Sequence, residues 1–387
     1  MMDELEEDIF GGRFTASIPM QEAEKLREIL MENDLFDPTR SIGRDVKVHF
    51  PVKLPEGRDM EWFAWLIDDL VDIITVSEPG AGTEHRDRRP TPFQQIRGIL
   101  ENELEPQEVQ LLPDRWEMIG DCLVLKIDEG LLYSIDRICT VYQEVLGARF
   151  TLVDMDGIQG ELRKPDFMTA CEPEDGNWDV IHTENGVKYQ LDPRKIMFSS
   201  GNVEERTGIV ELVNEGPRPP RIDGGKEKEI VVDMFAGIGY FTLPIAVGCD
   251  IDKIYALEKN PESFDYLERN IDLNDVRDKV VAINGDNREV APKVPADRVI
   301  MGYLGGTIEF LERAMDMVSD RGAMIHLHDT VKTEDGHVWL GREAEKRIKT
   351  KGWKMEMLDH RKVKSYAPRI DHIVLDLLVM PDPDVKL

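Results

Sequence analysis

Two glycines follow a short apolar strand in the stretch DMFAGIGYF, residues 233–241. Gly237 and Gly239 let the chain turn tightly and bring bare backbone N–H groups against a ligand at the start of the next helix. Asp233 precedes the turn at the carboxyl end of the strand, where open α/β sheets bind ligands. The dinucleotide pattern requires a third glycine, but Thr242 occupies that position. This glycine turn, residues 235–240, therefore predicts a small-molecule site without the dinucleotide fingerprint.

Polar side chains end the next two predicted strands. Glu258 ends KIYALE, 19 residues after Gly239, where a carboxylate accepts both hydrogen bonds of a ribose diol. Asp286 and Asn287 end VVAINGDN, where a carboxylate and an amide suit an adenine amine. Considered individually, Glu258 is also compatible with an exposed charge at the end of a strand, and Asp286 is also compatible with a residue that forms a turn. Because these residues follow one glycine turn at successive strand ends, the pattern predicts a nucleoside site.

The elements that must position these residues alternate between strand and helix. Asn260 reads as an N-cap and Pro261 as the first residue of a helix whose buried stripe is Phe264, Leu267 and Ile271. The alternation predicts βαβ units and a doubly wound parallel sheet. The predicted strands span 229–234, 253–257, 280–284, 298–301, 323–327 and 373–379, and the predicted helices span 241–247, 261–273, 307–318 and 342–350.

Two stretches rich in Pro, Gly and charge read as linkers, at residues 77–92 and 214–229. They divide the chain into a small amino-terminal α/β module (1–90), an α+β module (91–213) and a carboxy-terminal domain (214–387). The middle module mixes strand-like and helical runs, which predicts its α+β class. Its strand-like runs span 121–127 and 148–155, and its helical run spans 131–146.

The net charge of −29 argues against nucleic-acid binding, because phosphates are held by Lys and Arg. A cytoplasm rich in salt tolerates such a surface, since the screening length falls to about 3 Å at 1 M. Local patches then matter more than the total. The basic segment, residues 342–371, carries ten Lys or Arg against five Asp or Glu, and a smaller cluster, HRDRRP, spans 85–90. Both also fit solvated faces or a linker.

Other features exclude several protein classes. No run approaches the ~20 apolar residues of a membrane span, and the acidic start MMDELEEDIF lacks the features of a signal peptide. The four cysteines lie far apart without a C-x-x-C pair, which favours reduced structural thiols. His326 and His328 alternate on a predicted strand with no third ligand nearby, so we interpret them as structural. We expect a cytoplasmic protein with neither membrane nor metal partner.

The glycine turn and the acidic strand ends resemble those of the class I S-adenosylmethionine-dependent transferases. Five stretches are similar to the tRNA-modifying family shared by the tRNA (guanine-37-N1)-methyltransferase and the wybutosine-pathway aminocarboxypropyltransferase. They are MFSSGNVEER (197–206), DMFAGIGYFTLP (233–244), NIDLNDV (270–276), GDNR (285–288) and VKSYAPRIDHIVLDLLV (363–379). The matches span roughly residues 116–379, and residues 1–90 match less clearly. The resemblance implies an α/β fold with a class I, Rossmann-like S-adenosylmethionine-binding domain at the carboxyl end, preceded by α+β tRNA-binding modules.

The resemblance also implies the site residues. Ser199 and Arg206 match the family's cofactor-contacting serine and arginine and would suit the methionyl carboxylate, although Arg206 also fits an ion pair with Glu204 or Glu205. The predicted contacts of S-adenosyl-L-methionine, the donor substrate, are Ser199, Arg206, Asp233, Phe235, Gly237, Gly239, Glu258, Asp286 and Asn287. The residues themselves, and not the resemblance, give the candidate contacts of the substrate and its tRNA: Tyr303 by its position after the fourth strand of the sheet, and Arg361, Lys362, Lys364, Tyr366 and Arg369 because the basic segment would lie near the carboxyl edge of the sheet.

Two departures from the methyltransferase pattern bear on the reaction. Gly302, Tyr303 and Leu304 replace an Asn-Leu-Pro or Asn-Pro-Pro-type turn, and FSSGN (198–202) lacks the Pro and Arg used on a target guanine. Both positions resemble the aminocarboxypropyltransferase. The implied substrate is 4-demethylwyosine at position 37 of a phenylalanine tRNA, presented out of the anticodon loop, and the by-product is methylthioadenosine. Because the nucleophile is a ring carbon and the leaving group is neutral, positioning should supply most of the catalysis and a strong general base is not obligatory, so we assign no residue as catalytic acid or base.

Three other functions stay open at this point. The nearest is a tRNA (guanine-37-N1)-methyltransferase, against which the missing Asn turn counts. A class I enzyme acting on a small molecule is disfavoured by the large amino-terminal half and by the basic segment. A non-enzymatic RNA-binding or scaffold protein with a degenerate transferase fold is disfavoured because Gly237, Gly239, Glu258 and Asp286 are all present.

Overall fold

The structure is a computed structural model, and the chain in it divides into two compact units, residues 1–91 and 92–387. The predicted three-part division stays a prediction. Ser199, most of both predicted linkers and residues 85–89 of the HRDRRP cluster lie outside the described residues. The structure describes residues 13–37, 40, 42–44, 47–67, 70–71, 73–77, 90–159, 164–198, 200–215 and 228–384.

Within its described residues, the first unit is a four-stranded antiparallel sheet with two α-helices. Its elements are β1 (Arg13–Pro19), α1 (Ala23–Glu32), β2 (Gly43–Arg44), β3 (Lys47–Lys53), α2 (Met60–Leu66) and β4 (Thr75–Ser77). The strands are ordered β2-β3-β1-β4. Phe14 of β1 packs edge-on against Phe63 of α2, with ring centroids 5.0 Å apart, and both are fully buried. Aromatic packing of this kind stabilises the unit's own hydrophobic core.

The second unit begins with helices and strands that include the three predicted runs, at 121–127, 131–146 and 148–155. They are α3 (Pro92–Leu100), α4 (Pro106–Leu111), β5 (Glu117–Ile119), β6 (Cys122–Leu125), α5 (Ile135–Leu146), β7 (Phe150–Gln159) and β8 (Lys164–Cys171). A hairpin and a helix follow: β9 (Val180–Glu184), β10 (Val187–Leu191) and α6 (Val203–Asn214). The predicted helical run at 131–146 starts as a 3-10 helix, Glu129–Ser134, before α5. Gly147 ends α5 in the left-handed conformation, which glycine adopts without strain.

A seven-stranded sheet forms the rest of the second unit. Its elements are β11 (Ile230–Asp233), α7 (Thr242–Gly248), β12 (Lys253–Glu258), α8 (Pro261–Leu273), β13 (Val280–Asn284), α9 (Asn287–Val290), β14 (Arg298–Met301), α10 (Leu311–Met315), β15 (Ala323–Lys332), α11 (Gly336–Thr350), β16 (Trp353–Ala367) and β17 (Ile370–Pro381). The strand order is β13-β12-β11-β14-β15-β17-β16, and the first five strands are parallel. The order reverses at β11, which places the glycine turn at the topological switch point.

Local signals predicted several of these elements well. The bounds of α8, β13 and β14 agree with the prediction, and the Asn260 side chain caps α8 by accepting a hydrogen bond from Glu262 N at 3.0 Å. The predicted helix 307–318 is shorter, because Val318 instead forms a strand-like bridge with Ala296. Among the described residues, no helix is long and apolar enough to cross a membrane.

The prediction of a wholly parallel sheet is wrong at one edge. β17 runs antiparallel to both β15 and β16, and β16 was not predicted as a strand. β16 lies at the sheet edge, is mostly half-buried or exposed, and has three register shifts against β17. These irregularities break the period-2 pattern by which a strand is recognised. The basic segment therefore contains an edge strand that was not recognised from its sequence. Charged side chains are common on edge strands.

Candidate nucleoside and transfer site

A cavity of about 390 Å³ lies at the carboxyl ends of β11 to β14. Six of the predicted donor contacts line it: Arg206, Phe235, Gly237, Glu258, Asp286 and Asn287. Three of the predicted tRNA contacts line it as well: Tyr303, Lys364 and Tyr366. The fold thus brings residues from distant parts of the chain to one cavity, and their contacts with bound ligands stay predictions.

The glycine turn has the backbone conformation that its sequence predicts. Gly237 and Gly239 have φ of 57° and 106°, which side-chain-bearing residues rarely adopt. A Cβ on Gly239 would lie 2.6 Å from Leu243 Cγ, and one on Gly237 would lie 2.7 Å from Tyr240 Cε2. Gly237 lines the cavity, whereas Gly239 allows the close packing that forms the turn.

Glu258 holds the turn against the neighbouring strand. Its Oε2 accepts a hydrogen bond from Gly237 N at 2.8 Å, and its Oε1 accepts one from Asn260 N at 2.7 Å. Burial raises the pKa of this carboxyl, while the two backbone donors act in the opposite direction. Each carboxylate oxygen has a further lone pair, so the side chain keeps the capacity to accept from a ribose diol.

Asp286 and Asn287 present two different polar groups to the cavity. Hydrogen bonds from Arg288, at 2.9 and 2.6 Å, hold the pKa of Asp286 far below its usual range, and Lys259 lies 3.3 Å away. Asn287 donates to Met234 O at 2.9 Å, while its buried Oδ1 has no partner within the described ranges. Asn287 is a lining residue of the cavity, and a contact between its amide and an adenine amine stays a prediction.

Aromatic rings form an apolar wall of the same cavity. Phe235 and Tyr303 are stacked with centroids 5.2 Å apart and an interplanar angle of 20°. Phe310 packs edge-on against Phe235 at 5.1 Å, and the Arg288 guanidinium lies 5.1 Å above Phe310. Flat rings of this kind accept a planar heterocycle by stacking.

Asp233 does not line the cavity. It is fully buried, accepts a hydrogen bond from Thr242 Oγ1 at 2.8 Å, and lies 3.3 Å from Phe235 N. Burial raises the pKa of this carboxyl to about 6. These contacts hold the two ends of the glycine turn together, and a direct contact with the donor stays a prediction.

Arg206 lies in α6 and is almost fully buried. Its Nε and one terminal nitrogen each donate to the Glu184 carboxylate of β9 at 2.6 Å, and its guanidinium lies 5.2 Å from the Phe198 ring centre. The sequence did not predict this partner. A bidentate pair fixes the plane of the guanidinium, so Arg206 reaches the cavity in a defined orientation.

The basic segment divides into paired and exposed cations. Arg361 bonds to Glu205 at 2.7 to 3.1 Å and to Asp376 at 2.7 Å, which favours a structural role. Lys362 pairs with Asp371 at 2.8 Å. Arg369 is exposed at the turn between β16 and β17, with φ of 62°. Neither Arg361, Lys362 nor Arg369 is a lining residue of the cavity.

His326 and His328 are both buried in β15. An Arg298 nitrogen lies 2.7 Å from His326 Nε2, and Asp376 lies 2.6 Å from His326 Nδ1. Because arginine only donates, Nε2 accepts and the proton resides on Nδ1, so the ring is neutral. Burial lowers the pKa of His326 in agreement. Within the described ranges, no group of three or more His, Cys, Asp or Glu is arranged to hold a metal ion.

Sequence reasoning missed Asn202, Lys195 and Lys259, which also line the cavity. Asn202 belongs to the FSSGN stretch, so its motif was recognised without its position in the cavity. Lys195 pairs with Glu262 at 3.1 Å, and Lys259 pairs with Asp286 at 3.3 Å. Single lysines outside a motif carry no sequence signal for such a location.

Comparison with known proteins gives two family matches. Residues 180–356 match the TRM5/TYW2 methyltransferase domain, and residues 96–169 match the TYW2 N-terminal domain. The chain is 43% identical over 288 residues to a tRNA(Phe) (4-demethylwyosine(37)-C(7)) aminocarboxypropyltransferase of Pyrococcus horikoshii, covering 73% of this chain and 96% of that protein.

Two solved structures are similar to about three quarters of the chain and to nearly the whole chain, respectively. The crystal structure of P. horikoshii TYW2 in complex with MeSAdo is 40% identical, has a TM-score of 0.64, and covers 74% of this chain and 99% of its own. The crystal structure of Trm5b from Pyrococcus abyssi is 30% identical with a TM-score of 0.64, and covers 95% of this chain and 99% of its own.

Proposed function

Because the chain belongs to the TRM5/TYW2 family of tRNA-modifying enzymes, we propose that it is an aminocarboxypropyltransferase acting on tRNA(Phe). The donor is S-adenosyl-L-methionine, and the acceptor is C7 of 4-demethylwyosine at position 37 of the anticodon loop. The enzyme acts in the cytoplasm, in wybutosine biosynthesis. Methylthioadenosine leaves as the by-product.

Three comparisons and one sequence feature support this chemistry over methyl transfer. Residues 96–169 match the TYW2 N-terminal domain, and the relative of 43% identity carries the name of the aminocarboxypropyltransferase. The related structure with MeSAdo, which is methylthioadenosine, holds the by-product of the proposed reaction. The replacement of the Asn turn by Gly302, Tyr303 and Leu304 agrees with that assignment.

The cavity fits an adenosyl donor through groups on two strand ends. The Asn287 amide suits the adenine amine, and Glu258 suits the ribose diol. Transfer forms a carbon–carbon bond between C7 and the γ-carbon and breaks the bond from that carbon to sulfur. The bonding pair goes to sulfur, which becomes a neutral thioether, and the C7 proton is released to solvent. Positioning supplies most of the rate, so no side chain is assigned as acid or base.

The substrate is held within the second unit. Residues 91–213 bind the substrate arm, and residues 214–387 carry the transferase site. Tyr303, Lys364 and Tyr366 line the cavity and contact the target nucleotide. Arg369 contacts phosphate from the exposed turn.

Mass spectrometry of both products tests the proposal. The full chain is incubated with S-adenosylmethionine and tRNA(Phe) that carries 4-demethylwyosine, and in parallel with tRNA that carries unmodified guanosine 37. We expect methylthioadenosine and a tRNA mass gain of one aminocarboxypropyl group in the first sample alone. S-adenosylhomocysteine with methylated guanosine would instead establish methyl transfer.

That second function has one supporting observation. The Trm5b structure covers 95% of the chain, which is more than residues 92–387 alone supply, so part of the first unit has a counterpart in a tRNA methyltransferase. The two-substrate experiment separates the two chemistries directly.

A further inference from the structure

Gly302 follows the last residue of β14 and lines the cavity. Its φ does not lie in the left-handed region, so the backbone conformation does not require a glycine here. A Cβ on Gly302, however, would lie 2.7 Å from Phe241 Cε2 and 3.0 Å from Phe241 Cδ2. The lack of a side chain at this position therefore makes room for the Phe241 ring.

Phe241 has little freedom to move away from Gly302. It is the N-cap residue of α7, and its backbone O accepts a hydrogen bond from Ile245 N at 3.2 Å. Its ring also packs against the buried His328 ring, with centroids 5.2 Å apart, and only 7% of the residue is exposed. Because protein interiors are close-packed, a ring with two such neighbours cannot shift without displacing one of them.

The contact between Phe241 and Gly302 forms one apolar part of the cavity wall. Both residues line the cavity, and neither side chain offers a hydrogen-bonding group. Tyr303, the next residue along the chain, lines the cavity as well, and its ring stacks on Phe235. A group that enters beside Tyr303 therefore meets a surface that favours carbon atoms and penalises unpaired N–H donors.

We propose that the Phe241 ring, packed against Gly302, selects the tricyclic base over unmodified guanine. This inference rests on the proposed function, which places the target nucleotide against Tyr303. Guanine has an N1–H donor and an exocyclic amine on the edge that the third ring of 4-demethylwyosine closes with carbon atoms. Against Phe241 these guanine donors would lose their hydrogen bonds to water without replacement, whereas ring carbons have none to lose. An apolar surface of this kind discriminates by about 10- to 100-fold.

Binding of the full chain to two forms of tRNA(Phe) tests the inference. One form carries 4-demethylwyosine at position 37 and the other carries guanosine. Phosphate contacts are common to both forms, so the ratio of the two Kd values reports on the base. We expect the unsubstituted chain to prefer the modified tRNA by about tenfold or more.

Gly302→Ala and Gly302→Ser are a matched pair of variants. Both place the same Cβ against Phe241, and only serine adds a hydrogen-bonding group. Both should weaken binding of the modified tRNA by about tenfold, because the displaced ring no longer receives the third ring of the base. Gly302→Ser alone should strengthen binding of the guanosine form, by about threefold, because its hydroxyl pairs with a guanine donor.

Phe241→Leu tests whether the two residues act together. Leucine lacks the ring edge that a Cβ on Gly302 would meet, so this variant should keep a preference of no more than about threefold. Adding Gly302→Ala to it should change the preference by less than about twofold, since no ring is left to displace. Phe241→Leu also replaces the Gly302 variants if their melting temperatures show that they do not fold.

The outcomes separate this inference from a folding defect and from the proposed function. A folded Gly302→Ala variant that keeps the full preference would overturn the inference. Alanine and serine variants that bind both tRNA forms equally weakly would overturn it too, because that result indicates a structural defect. If the unsubstituted chain modifies the tRNA with 4-demethylwyosine but binds both forms equally, the inference fails and the proposed function stands. An unsubstituted chain that transfers no aminocarboxypropyl group would refute the proposed function itself.

Discussion

Asn270 of α8 bonds to Gln190 of β10 in the way that a neighbouring β-strand would. Its Oδ1 accepts from Gln190 N at 2.6 Å, and its Nδ2 donates to Gln190 O at 3.2 Å. Asn274 repeats the pattern with Lys188, at 2.9 and 2.7 Å. Four helical residues rise about 6 Å and two strand residues about 6.7 Å, so the two spacings match. Asn270 also donates to Ile238 O at 3.1 Å, which ties β10 to the glycine turn.

Substitution of Asn270 should therefore damage both stability and donor binding. Asn270→Ala leaves Gln190 N and Ile238 O without partners in a buried environment, at a cost of about 2 kcal/mol or more. The half-buried Asn274→Ala is the matched control and should cost less than about 1 kcal/mol. Urea unfolding and titration with S-adenosylhomocysteine measure the two effects. Equal losses in the two variants would contradict a link to the glycine turn.

Acid should destabilise the folded chain through two buried histidines. His328 Nδ1 lies 3.2 Å from His372 Nε2, and burial lowers the pKa of each to about 3. The unfolded chain takes up these protons near pH 6.5, whereas the folded chain does so only near pH 3, so stability falls as the pH drops below 6.5. At pH 5 the loss is about 2 kcal/mol per histidine.

The combined substitution of His328→Gln and His372→Gln tests this pH dependence. Glutamine keeps hydrogen-bonding groups without titrating, so the variant should lose less stability than the unsubstituted chain between pH 7.5 and pH 5. Melting temperatures at several pH values in this window measure the difference. Parallel curves for the two proteins would show that other groups cause the acid sensitivity.

Arg361 should matter more for folding than its neighbour Lys362. Arg361→Met leaves Glu205 and Asp376, two buried carboxylates, without their shared cation, which should cost about 3 kcal/mol or more. Lys362→Met removes an ion pair whose lysine is about half exposed, which should cost less than about 1 kcal/mol. Urea unfolding compares the two. A stable Arg361→Met variant with weakened tRNA binding would instead indicate that Arg361 contacts the tRNA.

The contrast between these arginine contacts and the glycine turn shows what a single sequence determines. The glycine turn and the cap of α8 were both predicted. Each depends on residues only a few positions apart: the glycines that allow the turn, and the Asn-Pro pair that begins the helix. The Arg361–Glu205 pair joins residues 156 positions apart, and the Asn270–Gln190 pair joins residues 80 apart. Nothing local distinguishes these residues from solvent-exposed ones. β16 was missed for a different reason, because it pairs with the adjacent strand β17 and the three register shifts of this pair obscure its pattern.

Arg369 should contribute to tRNA binding through phosphate. It is exposed at the β16–β17 turn, so Arg369→Gln should weaken tRNA(Phe) binding and lower the slope of log affinity against log salt by about one. Arg342 on α11 is the control, because it is also exposed and does not line the cavity. Filter-binding series at several salt concentrations give both slopes. If the Arg369 and Arg342 variants had the same slope of log affinity against log salt, the tRNA would be attracted by overall positive charge and not by a specific contact with Arg369.

Tyr303 should act through its ring rather than its hydroxyl. The ring stacks on Phe235 within the cavity, and base stacking on an aromatic side chain is worth about 1–3 kcal/mol. Tyr303→Ala should therefore lower kcat/KM for tRNA by about 10- to 100-fold, whereas Tyr303→Phe should stay within about threefold of the unsubstituted chain. Transfer of radiolabelled aminocarboxypropyl groups measures both, with melting temperatures as the control for folding. Tyr303→Phe keeps the ring and lacks the hydroxyl, whereas Tyr303→Ala lacks both. Equal impairment of the two variants would therefore show that the hydroxyl, and not the ring, makes the contact with the substrate.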